Sequence, residues 1–409
     1  MSLEEVSREE ALRAQSQTVK AYPLWGALPA GKDPYELVQG IHAGPEIFYA
    51  PNSHNSQAGT WVVTTFDLIK EVYHDPDSFS CENQTGIGAL LGEPLRMIPT
   101  EADAPSHGGY RDVLAPIFAP NRLTEIDPSL MAMSRELIGS FASAGRCEFM
   151  AEYAQKFPIG VFLGLMGLPH SDFEMLNTWA KALTYSPDFM VKRESLRQIN
   201  SYLTDKIKEA ESQADGSIIS RVVNAGIQGR PLTDEEKLAL CLNVFAGGMD
   251  TVNAALGWQF RYLAMNPAVQ EALRADRSKI PVAIEELLRA YSVVTSSRTA
   301  LRDMAFHGAK VKAGDLVTLA TGLANRDPSA FKQPDRVVLG RSPNRHLAFG
   351  FGMHYCMGAT LARREMRIAM ETWFDALPVF RLDGAADEGW PSFAGNMLSL
   401  SSLRLAWPV

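Results

Sequence analysis

One decapeptide constrains this 409-residue chain more than any other feature: Phe349-Gly350-Phe351-Gly352-Met353-His354-Tyr355-Cys356-Met357-Gly358. Its glycines let a loop adopt positive φ angles and lie close against a flat partner. Cys356 stands just before a run with helical spacing, from near residue 359 to about 377. Helix N-termini carry unsatisfied N–H groups and partial positive charge. Such surroundings favour a thiolate. The remaining cysteines, Cys81, Cys147 and Cys241, form no CxxC pair, so neither a zinc site nor a disulfide framework is expected. A lone thiolate on a glycine-lined loop suits a metal already held by another scaffold. An iron porphyrin fits, with the sulfur as axial ligand.

The rest of the chain is read around that loop. Apolar residues make up 46% of it and charged residues 21%, which is ordinary globular chemistry. A net charge of −8 disfavours a polyanionic partner, so no nucleic acid is expected. The first ten residues have no basic or apolar segment typical of a secretion signal. The apolar stretch 238–265 is interrupted by Asn243, Asp250, Asn253, Gln259 and Arg261, which predicts a core helix and no membrane span. A cytoplasmic protein is expected. Three- and four-residue apolar spacing runs almost unbroken over 104–291. A helix is expected at 34–43 and a strand at 60–65. Short strands are expected at 298–300, 304–307, 310–312 and 316–319, then an irregular stretch over 325–344. The tail, 397–407, reads as a β-hairpin. The class is mainly α with a minor β portion, in one domain, 1–409.

Three further constellations accompany the cysteine loop. Gly247-Gly248-Met249-Asp250-Thr251 lies about 105 residues upstream of Cys356. Each glycine inside a helix costs roughly 0.5–1 kcal/mol against alanine, so the pair needs a reason, either a groove beside the backbone or close helix packing. Glu286 and Arg289 are three apart and share a helix face. His107 and Arg111, four apart, together with Arg298 and His346, are candidates to neutralise buried carboxylates.

The decapeptide matches the FGxGxHxCxG pattern of the cytochromes P450 at every fixed position, and the other constellations follow that family's order. The chain resembles the family over almost its whole length. Within the family it is most similar to the soluble bacterial camphor monooxygenase group, through 247–251, 285–289 and 361–365. The resemblance implies the P450 fold, with haem b buried between a long central helix and the Cys-loop helix, and Cys356 as the iron ligand. It implies that Thr251 and Asp250 support oxygen binding and proton delivery. Phe349, Gly350 and Gly358 would cradle the haem, and His107, Arg111, Arg298 and His346 its propionates. Glu286 and Arg289 would be structural.

It further implies a monooxygenase that uses O2, a small hydrophobic substrate and a [2Fe–2S] ferredoxin with its reductase. Arg363, Arg364 and Arg367 would form a basic patch for that ferredoxin, and the enzyme would be a monomer. Where the camphor enzyme carries a tyrosine for the camphor ketone, this chain has Leu95, which argues against camphor. The expected pocket residues are Ile87, Leu95, Asn243, Ala246, Gly247, Val294, Asn396 and Met397. The substrate expected is a monoterpenoid or norisoprenoid. The alternatives are another small aromatic or aliphatic substrate, or peroxide-using chemistry, which the Asp250-Thr251 pair disfavours. A haem sensor would call for an output domain, and none is evident.

Overall fold

The helical periodicity of the middle of the sequence becomes a stack of helices in the computed structural model. The structure describes residues 40–50, 59–212, 215–384 and 397–409, with the backbone of 26–27 and 391–393. Most of the helix expected at 34–43 lies outside the described residues; Ile41–Ala43 form a single 3-10 turn.

The helices that position the site are α1 (Phe66–His74), α2 (Ile87–Leu91), α3 (Ser106–Leu114), α4 (Asp127–Phe141), α5 (Lys156–Met166), α6 (Phe173–Tyr185), α7 (Phe189–Ala210), α8 (Asp234–Met249), α9 (Thr251–Met265), α10 (Ile280–Ala290) and α11 (Ala359–Ala376). The long apolar stretch is two helices rather than one. α8 opens on a capping box between Thr233 and Glu236, with Asp234, Glu235 and Glu236 in its first turn to meet the helix dipole. It stops at Asp250, whose φ of −122° and ψ of −24° leave the helical region, and α9 restarts at Thr251. About two-thirds of the most apolar window in 234–265 is buried inside the protein.

Aromatic packing fixes α9 and α11 side by side. The Phe149 and Phe260 rings stack with centroids 4.3 Å apart, and the edge of Trp373 meets both. All three side chains are essentially inaccessible to solvent. Offset and edge-on aromatic pairs add about 0.5–1.5 kcal/mol each beyond area burial. A second apolar cluster joins α5, α6, α7 and α8 around Phe162, Leu176, Leu203 and Phe245.

The main sheet contains β1 (Ile47–Ala50), β2 (Thr60–Val63), β3 (Phe79–Ser80), β4 (Ser296–Ala300) and β5 (Leu316–Leu319), in the order β1-β2-β5-β4-β3. β2 and β5 are parallel and the other pairs antiparallel. Arg298 pairs with Val317 in this sheet and is 4% exposed. The tail is not a hairpin. Ser399–Leu400 pairs with Pro391–Phe393, whereas Arg404–Ala406 pairs with both Arg381–Leu382 and Arg146–Glu148. Each half of the tail finds a better partner in a different sheet, which local alternation cannot reveal.

Candidate active site

The Cys356 loop is built on left-handed glycines, Gly350 at φ 72° and Gly352 at φ 66°. The Cys356 amide donates to the Phe349 carbonyl at 2.9 Å, closing the loop before α11 begins. A Cβ on Gly358 would lie 3.9 Å from Cys356 Sγ, in ordinary contact with the sulfur. The thiol opens onto a cavity of about 860 Å³. Burial raises its pKa above the ordinary value, against the lowering expected from the helix terminus alone. The Gly358 and Ala359 amides, with the Arg111 and Arg363 charges, pull the other way and favour the thiolate. Arg363 stacks over Phe349, 4.3 Å from the ring centroid, and fixes that ring on the cavity wall.

Opposite the thiol, the two helix glycines do different work. No atom lies within 4 Å of where a Gly247 Cβ would be, and Gly247 lines the cavity. A Cβ on Gly248 would overlap the Phe162 ring, so that glycine permits α5 to pack against α8. Thr251 Oγ1 donates to the Gly247 carbonyl at 2.9 Å. Thr251 is on the cavity wall, whereas the neighbouring Asp250 is 3% exposed and lies off that wall. Asp250 Oδ1 accepts from Asn253 Nδ2 at 3.1 Å. Its Oδ2 has no partner in hydrogen-bond geometry. Burial raises the Asp250 pKa, and the nearby Thr184 hydroxyl and Lys181 charge on α6 only partly offset it.

Basic groups gather at one edge of the cavity. His107 and Arg111 reach it from α3, Arg298 from β4 and His354 from the loop itself. Arg298 donates to Gln84 Oε1 at 2.9 Å and to the Ser297 carbonyl, and neither acceptor is charged. The His107 and His354 rings are 4.3 Å apart. Burial, with the Arg298 charge, pushes His354 down to about 3, and burial lowers His107 as well. His354 Nε2 lies 3.4 Å from Cys81 Sγ, which in turn donates to Asp103. His346 does not belong to this set. It is absent from the cavity wall, and its Nε2 is 3.2 Å from Glu285 Oε2, where it braces the loop from behind. The signal for His354 lay in the decapeptide, two residues before the cysteine.

The distal wall is mostly apolar. Ile87, Asn243, Ala246, Gly247, Val294 and Met397 line it, and Val294 bridges to Met397. Asn243 Oδ1 is buried without a partner. Leu95 is not on the wall; it packs into the cluster around α5 and α7, behind α2. Asn396 lies outside the described residues. The cavity as a whole is also lined by Tyr73, Met97, Thr184, Phe189, Lys192 and, from α11, Glu365, which sequence spacing did not single out.

Glu286 and Arg289 form a bidentate pair at 2.9 Å with both side chains fully buried. Arg289 also donates to the carbonyls of Asn325, Pro334 and Arg336. Glu286 accepts from the Val338 amide, Arg341 and Asn344. The pair is therefore the hub of the irregular segment before the cysteine loop. The arginines of α11 do not form an unpaired basic patch. Arg363 grips Glu285, Arg364 holds Asp127, and Arg367 holds Asp127 and Glu371.

These residues fit a haem. The thiol and the open groove at Gly247 line one large chamber, and a buried arginine with only neutral acceptors needs an anion such as a propionate. A coordinating iron would also deprotonate the thiol.

The family model described as Cytochrome P450 matches residues 120–401. A relative from Sinorhizobium fredii, named "Probable cytochrome P450 127A1", is 36% identical over 92% of this chain and 90% of its own length. The Steroid C26-monooxygenase of Mycolicibacterium smegmatis is 29% identical over 83% of this chain and 86% of its own. Among solved structures, CYP101J2 matches with a TM-score of 0.85 and 32% identity, covering 95% of this chain and 97% of that one.

Proposed function

The chain belongs to the cytochrome P450 family and is a haem-dependent monooxygenase, and from that premise we propose that it oxidises a C–H bond of a small hydrophobic substrate of monoterpenoid or norisoprenoid size. The observation that carries this reading is the apolar chamber between Cys356 and the α8–α9 break, with few polar atoms on its distal wall. When bound, the haem supplies O2 activation: one oxygen atom enters the substrate and the other leaves as water.

The proposed roles of the side chains rest on their positions. Cys356 would be the iron ligand, between Phe349, Gly350 and Gly358. Arg111 and Arg298 would hold the propionates, and His107 and His354 would each offer a ring nitrogen. Glu286 and Arg289 keep the loop in place. Asp250 would take up and release the relayed proton at Oδ2, since burial raises its pKa and Asn253 occupies only Oδ1. Thr251 passes that proton toward the chamber through its hydroxyl, which already bonds the Gly247 carbonyl. Glu365, carried by α11 and lining the cavity, has its pKa raised well above the ordinary carboxyl range by burial.

The proposal takes the chain as a single domain, 1–409, working as a cytoplasmic monomer. A [2Fe–2S] ferredoxin with its reductase is proposed as electron donor from the likeness to the camphor monooxygenase group. The paired arginines of α11 do not carry that choice.

The test is an optical titration of the haem protein. Terpenoids and norisoprenoids should move the Soret band toward the high-spin form, and bulky steroids and macrolides should not. A response to bulky ligands alone would overturn the size assignment. T251A should keep substrate affinity while diverting electrons to hydrogen peroxide; unchanged coupling would remove Thr251 from proton delivery.

A further inference from the structure

A cation on the distal wall has no role in the reading above. Lys192 stands in the first turn of α7 and lines the cavity beside Thr184, Ser186, Pro187 and Phe189. The other basic side chains on the described wall are His107, Arg111, Arg298 and His354, the set assigned to the propionates. Lys192 stands apart from them. Burial lowers its pKa, and no neighbouring charge of either sign contributes to the shift. Its ammonium makes no hydrogen bond or ion pair among the described residues. The one carboxyl group on the described wall is Glu365, carried by α11.

A partly buried ammonium without an anion is an unfavourable arrangement that a ligand oxygen relieves. Thr184 and Ser186 line the same stretch of wall, with the Ser186 hydroxyl already donating to the Asp188 carbonyl at 3.4 Å. Asn243, also on the wall, has a buried Oδ1 still without a donor. Ile87, Leu90, Met97, Leu183 and Val244 supply hydrocarbon surface on the same wall.

We propose that Lys192 anchors a carboxylate on the substrate, so that the enzyme takes small apolar acids held by their charged end at the α6–α7 corner. The proposal rests on the reading of this chamber as the substrate pocket and narrows its substrate class. The hydrocarbon part of such an acid lies against the apolar wall, and the anchor limits which of its carbons face Gly247 and Thr251.

The experiment compares matched ligands on the haem-loaded full chain. Cyclohexanecarboxylic, 4-isopropylbenzoic and decanoic acids are each titrated beside their methyl esters, by the Soret shift and by calorimetry. At least one acid should bind about tenfold tighter than its ester or better, a preference expected of a charge-assisted contact. K192M should remove that preference, and K192R should retain most of it. Equal affinity for every acid and its ester, or a preference that survives K192M, overturns the proposal. Esters that bind while acids do not overturn the anchor and leave the pocket standing. Failure of every ligand in both forms overturns the pocket reading together with the anchor.

Discussion

The cavity has two sides built on opposite principles. Behind the cysteine loop, charge fixes position. Glu286 and Arg289, wholly buried, tie together the carbonyls of Asn325, Pro334 and Arg336, the Val338 amide, Arg341 and Asn344. Glu285 adds His346 and Arg363. Across the cavity, the roof is mainly apolar, and α2 is a short helix between left-handed Gly86 and Gly92. Directional, charge-assisted bonds hold one geometry. Apolar contacts are roughly proportional to area and tolerate changes of shape. The difference teaches that this chain places rigidity around the cysteine proposed to hold the iron, and adaptability in the roof of the proposed substrate chamber.

The largest effect that can break this comparison is at its rigid side. E286Q leaves Arg289 with an uncompensated buried charge, and breaking a buried pair typically costs about 3–5 kcal/mol. Chemical denaturation should show a loss of that size, with poor retention of haem. A loss below about 1 kcal/mol would mean that the segment 325–344 is held by packing alone.

The central helices give the next test, because two adjacent glycines should respond with opposite signs. G248A forces the Phe162 ring, itself 4% exposed, to move, and overpacking of this kind costs about 1–3 kcal/mol. G247A meets no atom within 4 Å and should gain roughly 0.5–1 kcal/mol of helix stability. Its methyl group, however, projects into the groove beside Thr251, so oxygenation should fall while thermal stability rises. Equal effects at both positions would show that α8 does not divide its two faces in this way.

How far the sequence could be read follows the same division. The α11 helix and the strands of 296–319 came from local spacing, and the cysteine loop and the 247–251 segment from residues close together in the chain. Non-local pairing was hidden. The tail residues 399–400 and 404–406 look alike in sequence yet join different sheets. His346 was expected at the propionates because it precedes the glycine loop. Only the fold shows that Glu285 claims it and that His354 occupies the basic edge. Leu95 was placed on the wall by position along the chain, but it packs behind α2. The arginines of α11 looked like a free patch: Glu371 lies one turn from Arg367, but nothing local reveals Glu285 as the partner of Arg363, or Asp127, more than 200 residues away, as that of Arg364 and Arg367.

Acid should weaken the rigid side first. Burial pushes Glu285 up, but hydrogen bonds from His346 and Arg363 outweigh it and bring its pKa from 4.5 down to about 2. A carboxyl group with a folded value below its unfolded one stabilises fully above the unfolded value. That contribution is lost as pH falls from about 4.5 toward about 2. After allowance for its partial exposure, the contribution is about 2 kcal/mol. The stability difference between the parent and E285Q, measured by urea unfolding, should therefore shrink between pH 6 and pH 3. A difference constant over that range would show that Glu285 titrates alike in both states.

The smallest effect sharpens the comparison from the adaptable side. The roof segment 85–97 is closed at both ends by one buried carboxylate. Glu101 Oε1 accepts from the Thr85 amide and hydroxyl, each at 2.7 Å, and Oε2 accepts from the Met97 amide at 2.8 Å. In E101Q the amide oxygen can keep Thr85, while its NH2 group faces the Met97 N–H as one donor against another. The loss of that single bond is worth about 1 kcal/mol. Because α2 makes few other polar contacts, the cost should appear as local opening rather than global unfolding. Hydrogen exchange at Met97 should quicken by about fivefold, ligand affinity should fall by a similar factor, and the denaturation midpoint should barely move. A midpoint shift as large as that of E286Q would erase the distinction, because the roof would then be as tightly coupled to the fold as the cysteine loop.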